Sequence, residues 1–173
     1  VDQIVTLYKM LSRLGGPKGK IRTCEFFLYS ENDRKAIRAC QEQGLKFPEI
    51  TGWIRATKED FKLVKDMDLE ECGILVSCSD YHIFNKLQKT RKQAMDGYLE
   101  VVKAALDMGI RPRCHFEDVT RADFYGFVVP FAQELRHLME EYQIPVKIRF
   151  CDTMGYGVPY PGATLPRSVP GII

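Results

Sequence analysis

The chain has 173 residues, 45% hydrophobic and 28% charged, with a formal net charge of +2, which suits an ordinary globular domain with a full core. So small a positive excess, with no run of like charges, argues against a nucleic-acid or anionic-membrane partner, and no apolar run reaches the roughly 20 residues of a membrane span. Cys24, Cys40, Cys72, Cys78, Cys114 and Cys151 form no Cys-x-x-Cys pair and no histidine completes a zinc site, so they read as reduced, mostly buried thiols of a cytoplasmic protein.

In chain order, a helical pattern (Ile4, Leu7, Tyr8, Leu11, Leu14) comes first and is predicted to close at a Gly15-Gly16 C-cap followed by Pro17. A strand is predicted over Ile21 to Tyr29, with Glu25 as the acidic residue in its middle. Ser30 caps a helix from Asn32 to Gln43, which turns Ile37 and Cys40 inward and ends at Gly44. A strand from Glu49 to Ala56 leads to a helix capped by Thr57, with Glu59 and Asp60 in its first turn and Phe61, Val64 and Met67 on one face. Next come a strand from Gly73 to Ser77, a polar loop over Ser79, Asp80, Tyr81 and His82, and a long helix from Leu87 to Met108 that stops at Gly109. The strand Arg111 to Glu117 is followed by a helix capped by Thr120, running to Tyr142 with a kink expected at Pro130. The last strand spans Val146 to Asp152.

Five strands joined by four crossovers predict one parallel α/β sheet. A doubly wound sheet would be nearly complete at this length, whereas a (β/α)₈ barrel needs about 250 residues. The chain lacks an initial Met and its helical pattern is already under way at Ile4. The expectation is therefore a part of a TIM barrel over 1–173, parallel strands 2 to 6 with their helices, cut at both ends. Polar groups in or at the ends of five successive strands (Glu25, Arg55, Ser77, Glu117, Thr153) favour the barrel, which gathers its strand ends round one mouth. Within the strand Arg111 to Glu117, alternation puts Arg113, His115 and Glu117 on one face and Cys114, Phe116 and Asp118 on the other. Ionisable groups on a covered strand need partners or a task. The two outer strands of a part-barrel would need the rest of the barrel, or another subunit, to cover their edges.

The strings Ser77-Cys78-Ser79-Asp80-Tyr81-His82, Glu117-Asp118-Val119-Thr120-Arg121-Ala122-Asp123 and Asp152-Thr153-Met154-Gly155-Tyr156-Gly157-Val158-Pro159 carry a resemblance when taken together. They look like the fourth, fifth and sixth strand ends of the HMGL-like, or DRE-TIM metallolyase, family. Isopropylmalate synthase, homocitrate synthase and hydroxymethylglutaryl-CoA lyase belong to it: divalent-metal barrels that make or break carbon–carbon bonds between an acyl-CoA and a keto acid. The run from Met154 to Gly162 looks closest to the Re-citrate and homocitrate synthase branch, which implies oxaloacetate or 2-oxoglutarate as acceptor.

The resemblance implies catalytic roles for Glu25 and Glu117, and substrate-binding roles for Arg113, His115 and Thr153. His115 stands where the family usually has a small residue, so the substrate side chain recognised there would differ. Arg55, Ser79, His82 and Asp152 are further candidates, three of them with an ordinary alternative: a structural ion pair for Arg55, a loop histidine for His82, support of a turn for Asp152. The family's metal, Mn²⁺ or Mg²⁺, is held by a first-strand aspartate and a seventh-strand His-x-His, with a catalytic arginine beside that aspartate. No metal ligand is expected from this segment, and turnover is expected only from the full-length protein. There the resemblance implies an acyltransferase, a homodimer, with acetyl-CoA as co-substrate. In such chemistry a metal polarises the ketone, an arginine and a hydroxyl fix the carboxylate, and a glutamate moves the proton. A lyase running the reverse cleavage and a non-catalytic fragment are the alternatives.

Overall fold

The computed structural model describes residues 1–14 and 19–173, so the reading of Gly15-Gly16 and Pro17 as a helix stop lies outside the described residues. In chain order the elements are α1 (Asp2–Arg13), β1 (Thr23–Phe27), α2 (Glu31–Gln41), β2 (Glu49–Ile54), α3 (Phe61–Asp66), β3 (Glu71–Ser77), α4 (Arg91–Asp107), β4 (Arg111–Glu117), α5 (Val129–Tyr142), β5 (Lys147–Cys151) and α6 (Val169–Ile172). They group into two compact units, Val1–Gly73 and Ile74–Ile173, with β3 passing from one into the other.

In the first unit the strand order is β1-β2-β3. β1 and β2 run parallel, from Thr23 opposite Glu49 to Phe27 opposite Trp53. α2 begins where expected, because Ser30 and Asp33 form a reciprocal cap: the Ser30 hydroxyl accepts the Asp33 N–H at 3.0 Å and the Asp33 carboxylate accepts the Ser30 N–H at 3.1 Å. Leu28, Ile37, Cys40, Ile54, Phe61 and Val64 are fully buried and make the core. The Tyr8 hydroxyl of α1 donates to the Pro48 carbonyl at 2.9 Å. Thr57 makes no side-chain cap bond. A 3₁₀ turn over Lys58–Asp60 leads into α3 instead, and the expected face of Phe61, Val64 and Met67 is buried all the same.

In the second unit the order is β3-β4-β5, and β4 lies parallel to β5 from Arg113 opposite Lys147 to Glu117 opposite Cys151. The core forms where Phe116 of β4 stacks on Phe131 of α5, ring centroids 5.1 Å apart, with Phe127 beside them. Cys114 and Phe116 are fully buried on this side. Strand alternation then assigns Arg113, His115 and Glu117 to the opposite face, as the sequence predicts.

Local corrections cluster at the strand ends. The expected polar loop at Ser79–His82 continues into a π-helical turn over Tyr81–Lys86. α4 accordingly starts at Arg91 rather than Leu87, where Thr90 and Gln93 close a capping box. Thr120 does not cap a helix: it sits in a 3₁₀ turn, Val119–Arg121, and its hydroxyl donates to Asp152. The capping role passes to Asp123, whose carboxylate accepts the Gly126 N–H at 2.8 Å, and a π-helical turn over Phe124–Val128 runs from there into α5. Pro130 is the second residue of α5, directly after this π-helical turn. No helix among the described residues is long and apolar enough to cross a membrane.

Candidate active site at the end of β4

The site is built in the second unit from the last residue of β4 outward. Glu117 ends the strand with its side chain 15% exposed. Its carboxylate accepts the Ser77 hydroxyl from the end of β3 in a short hydrogen bond. Two groups from the π-helical turn complete the enclosure: Lys86 Nζ stands 3.3 Å from both carboxylate oxygens, and His82 Nδ1 lies 3.4 Å from Oε2. Ser77 is fixed in turn by α4, whose Tyr98 hydroxyl accepts the Ser77 N–H at 3.1 Å and donates to the Ser77 carbonyl at 3.2 Å. The Cys78 N–H donates to the Glu117 carbonyl at 2.9 Å, closing the strand ends together.

Asp118, the next residue, is fully buried and has left-handed backbone, φ 60°, which asparagine and aspartate tolerate better than most residues. Its carboxylate takes three charge-assisted contacts of 2.6 to 2.9 Å from Arg121, and the Ser79 hydroxyl also bonds it. Burial pushes this carboxyl up, but Arg121 and Ser79 outweigh it and hold it below the usual carboxylate range. The Asp118 N–H donates to the Thr153 hydroxyl at 2.8 Å, tying the β4 end to the β5 end. Asp152 folds the loop behind it, because its carboxylate accepts the Thr120 hydroxyl at 2.7 Å and the N–H groups of Tyr156 and Gly157 at 2.9 Å. The Thr120 bond comes first in holding Asp152 below its ordinary range. Asp152 is therefore a turn organiser.

Arg113 and His115, 4% and 6% exposed, are buried on the Glu117 face of β4. Glu25 and Arg55 belong to the first unit. Glu25 is half-buried mid-β1 opposite Thr51, while Arg55 forms the structural ion pair, reaching Asp60 at 3.2 Å with Tyr29 donating to the same carboxylate. The second unit thus brings Ser79, His82, Glu117, Thr153 and Asp152 into one linked network.

Lys86, Arg91, Tyr98 and Arg121 carry parts of this network that sequence reasoning missed. Arg91 grips Asp80 through two bonds of 2.6 and 2.7 Å and Asp123 through one of 2.8 Å, so it ties two of the predicted strings together. A signal existed: a cation in a helix first turn opposes the dipole, so Arg91 at the start of α4 needed an acidic partner.

This arrangement has counterparts among known proteins. Residues 2–165 match the HMGL-like family. The chain belongs to the HMGL-like family. Within it, the chain is 64% identical over 172 residues to the citrate (Re)-synthase of Syntrophus aciditrophicus and 60% identical over 171 residues to that of Clostridium kluyveri. Each alignment covers 99% of this chain but only 27% and 38% of those relatives, so the chain spans well under half of their length. Among solved structures, hydroxymethylglutaryl-CoA lyase from Pseudomonas aeruginosa matches with a TM-score of 0.66 at 16% identity, over 91% of this chain and 52% of that one. That likeness is one of fold, and it agrees with the part of a (β/α)₈ barrel that the sequence predicts.

Proposed function

We propose that the protein containing this chain joins the acetyl group of acetyl-CoA to a 2-oxo acid, with oxaloacetate as the acceptor that yields citrate. The carrying observation is the enclosure of the Glu117 carboxylate by Ser77, His82 and Lys86, on a strand face that also buries Arg113 and His115. The high identity to two citrate (Re)-synthases supports the choice of acceptor.

In this reading the acetyl methyl loses a proton and forms the bond to the ketone carbon, and water then cleaves the thioester to release the CoA thiol. Glu117 serves in the proton relay, because it is a carboxylate with fixed orientation and several hydrogen-bond partners through which a proton can be passed. Arg113 and His115 are set on the same face to orient the oxo acid. Thr153 offers its hydroxyl proton, which makes only a long 3.4 Å bond to the Cys151 carbonyl and can be redirected to a substrate carboxylate. Glu25 is assigned an orienting role.

Among the described residues no three His, Cys, Asp or Glu side chains stand together as a cation site requires. When bound, the divalent metal that the family resemblance implies would polarise the ketone. β5 has only β4 as a strand neighbour among the described residues and exposes Ile148 and Phe150, which supports a further barrel strand or a second subunit against it.

The test is full-length protein with acetyl-CoA, Mn²⁺ or Mg²⁺ and a panel of 2-oxo acids, followed by free thiol. Thiol release that depends on oxaloacetate is expected. Thiol release independent of every oxo acid would overturn the proposal, and so would acetyl-CoA appearing from the CoA thioester of a tertiary hydroxy acid with no forward reaction.

A further inference from the structure

We infer that Lys86 is a positioning residue for Glu117: its ammonium bridges both carboxylate oxygens and, with Ser77, fixes the plane of the group that moves the proton. The inference rests on the proposed role of Glu117.

The geometry separates Lys86 from the ordinary surface lysines of this chain. Lys35, Lys62 and Lys92 pair with an acid four residues away on their own helix, with side chains 60% to 82% exposed, which is worth little. Lys86 instead reaches across 31 residues to the end of β4, at equal 3.3 Å distances from Oε1 and Oε2, and meets a carboxylate that is only 15% exposed. The device that aims it is the π-helical turn. The Leu87 N–H donates to the His82 carbonyl at 2.9 Å, and this wider winding puts both His82 and Lys86 against the same carboxylate. π-Helical turns occur frequently at functional sites. The turn is anchored on both sides, by the His82 N–H donating to the Ser79 hydroxyl at 3.3 Å and by the Arg91 grip on Asp80.

The groups facing Glu117 are Ser77 and Cys78 from the end of β3, His82 and Lys86 from the turn, Tyr98 from α4 and Cys151 opposite it in β5, with Arg113, His115 and Asp118 on its own strand and its continuation. Among them Lys86 reaches the carboxylate from outside the sheet, its Nζ 3.3 Å from both oxygens. A cation that spans both oxygens holds the carboxylate in one orientation, so removing it should impair the step that uses Glu117 more than the binding of the oxo acid.

The experiment is kcat and KM for oxaloacetate in the full-length protein with acetyl-CoA, for wild type, Lys86→Met, Lys86→Arg and Glu117→Gln. Lys86→Met is expected to lower kcat several-fold with KM for oxaloacetate little changed. Lys86→Arg is expected to recover most of the lost kcat. An unchanged kcat in Lys86→Met, or an equal loss in Lys86→Arg, overturns the positioning role while the Glu117 reading stands. Undiminished activity in Glu117→Gln overturns both.

Discussion

Replacing Tyr98 by Phe tests whether the carboxylate cluster is held from the helix layer. Tyr98 is 7% exposed, and its hydroxyl makes two bonds to one residue, accepting from the Ser77 N–H and donating to the Ser77 carbonyl. Burial pushes the phenol up to about 12, so it stays protonated and able to donate at every working pH. The Phe ring keeps the packing against Phe131, whose centroid is 5.9 Å away, so the substitution isolates the oxygen. Ser77 is 4% exposed, and its two backbone groups would be left without this partner in a place water hardly reaches. A buried polar group that loses its partner costs about 1–3 kcal/mol, and a destabilisation in that range is expected from denaturant unfolding of the full-length protein. Because the Ser77 hydroxyl donates to Glu117, the same change should lower kcat several-fold with little effect on KM for the oxo acid. An unchanged midpoint with unchanged kcat would show that α4 does not hold the site.

Three further outcomes follow from particular contacts. Thr153→Val should raise KM for the oxo acid by an amount equivalent to roughly 1–3 kcal/mol, whereas Thr153→Ser, which keeps the acceptor for the Asp118 N–H, should stay near wild type; equal KM values in both would remove Thr153 from substrate binding. Asp118 is held below its unfolded value, so its contribution to stability is present above the unfolded value of about 3.9 and is lost as pH falls through the lower folded value. Arg121→Gln should therefore move the acid-unfolding midpoint of the protein to higher pH, and an unmoved midpoint would mean that this pair does not set acid stability. Gly157→Ala should disorder the loop after β5, since a Cβ there would stand 2.8 Å from the Asp152 carboxylate; faster proteolysis of the 153–159 segment is the readout, and wild-type resistance would contradict it.

Much of this site was legible because a strand has a period of two. The Arg113, His115, Glu117 and Cys114, Phe116 alternation can be read from residue types alone, and the buried stack of Phe116 on Phe131 places the two faces as predicted. The strings at 77–82, 117–123 and 152–159 were legible as strand ends, and their residues do meet within the second unit. Helix starts were less so. Leu87 to Thr90 fit an amphipathic pattern as well as α4 itself does, and only the Thr90 and Gln93 cap decides where the helix begins. A π-helical turn differs from a loop by which carbonyl each N–H finds, here the Leu87 N–H finding that of His82, and the residue types from Tyr81 to Lys86 do not announce that choice. Thr120 and Thr57 both carry the right side chain for a cap. Thr120 is instead drawn to Asp152 across 32 residues, a contact with no trace in local sequence.

The proposed reaction forms a carbon–carbon bond beside Glu117, and the most direct measurement follows the carbon. Full-length protein is incubated with acetyl-CoA labelled in the methyl carbon and with oxaloacetate, and the label is traced by NMR in wild type and in Glu117→Gln. The label is expected in the methylene of citrate, with the initial rate falling at least about 100-fold in the variant, in line with the loss of a general acid–base group. Label recovered as free acetate, or a Glu117→Gln rate equal to wild type, would contradict the account.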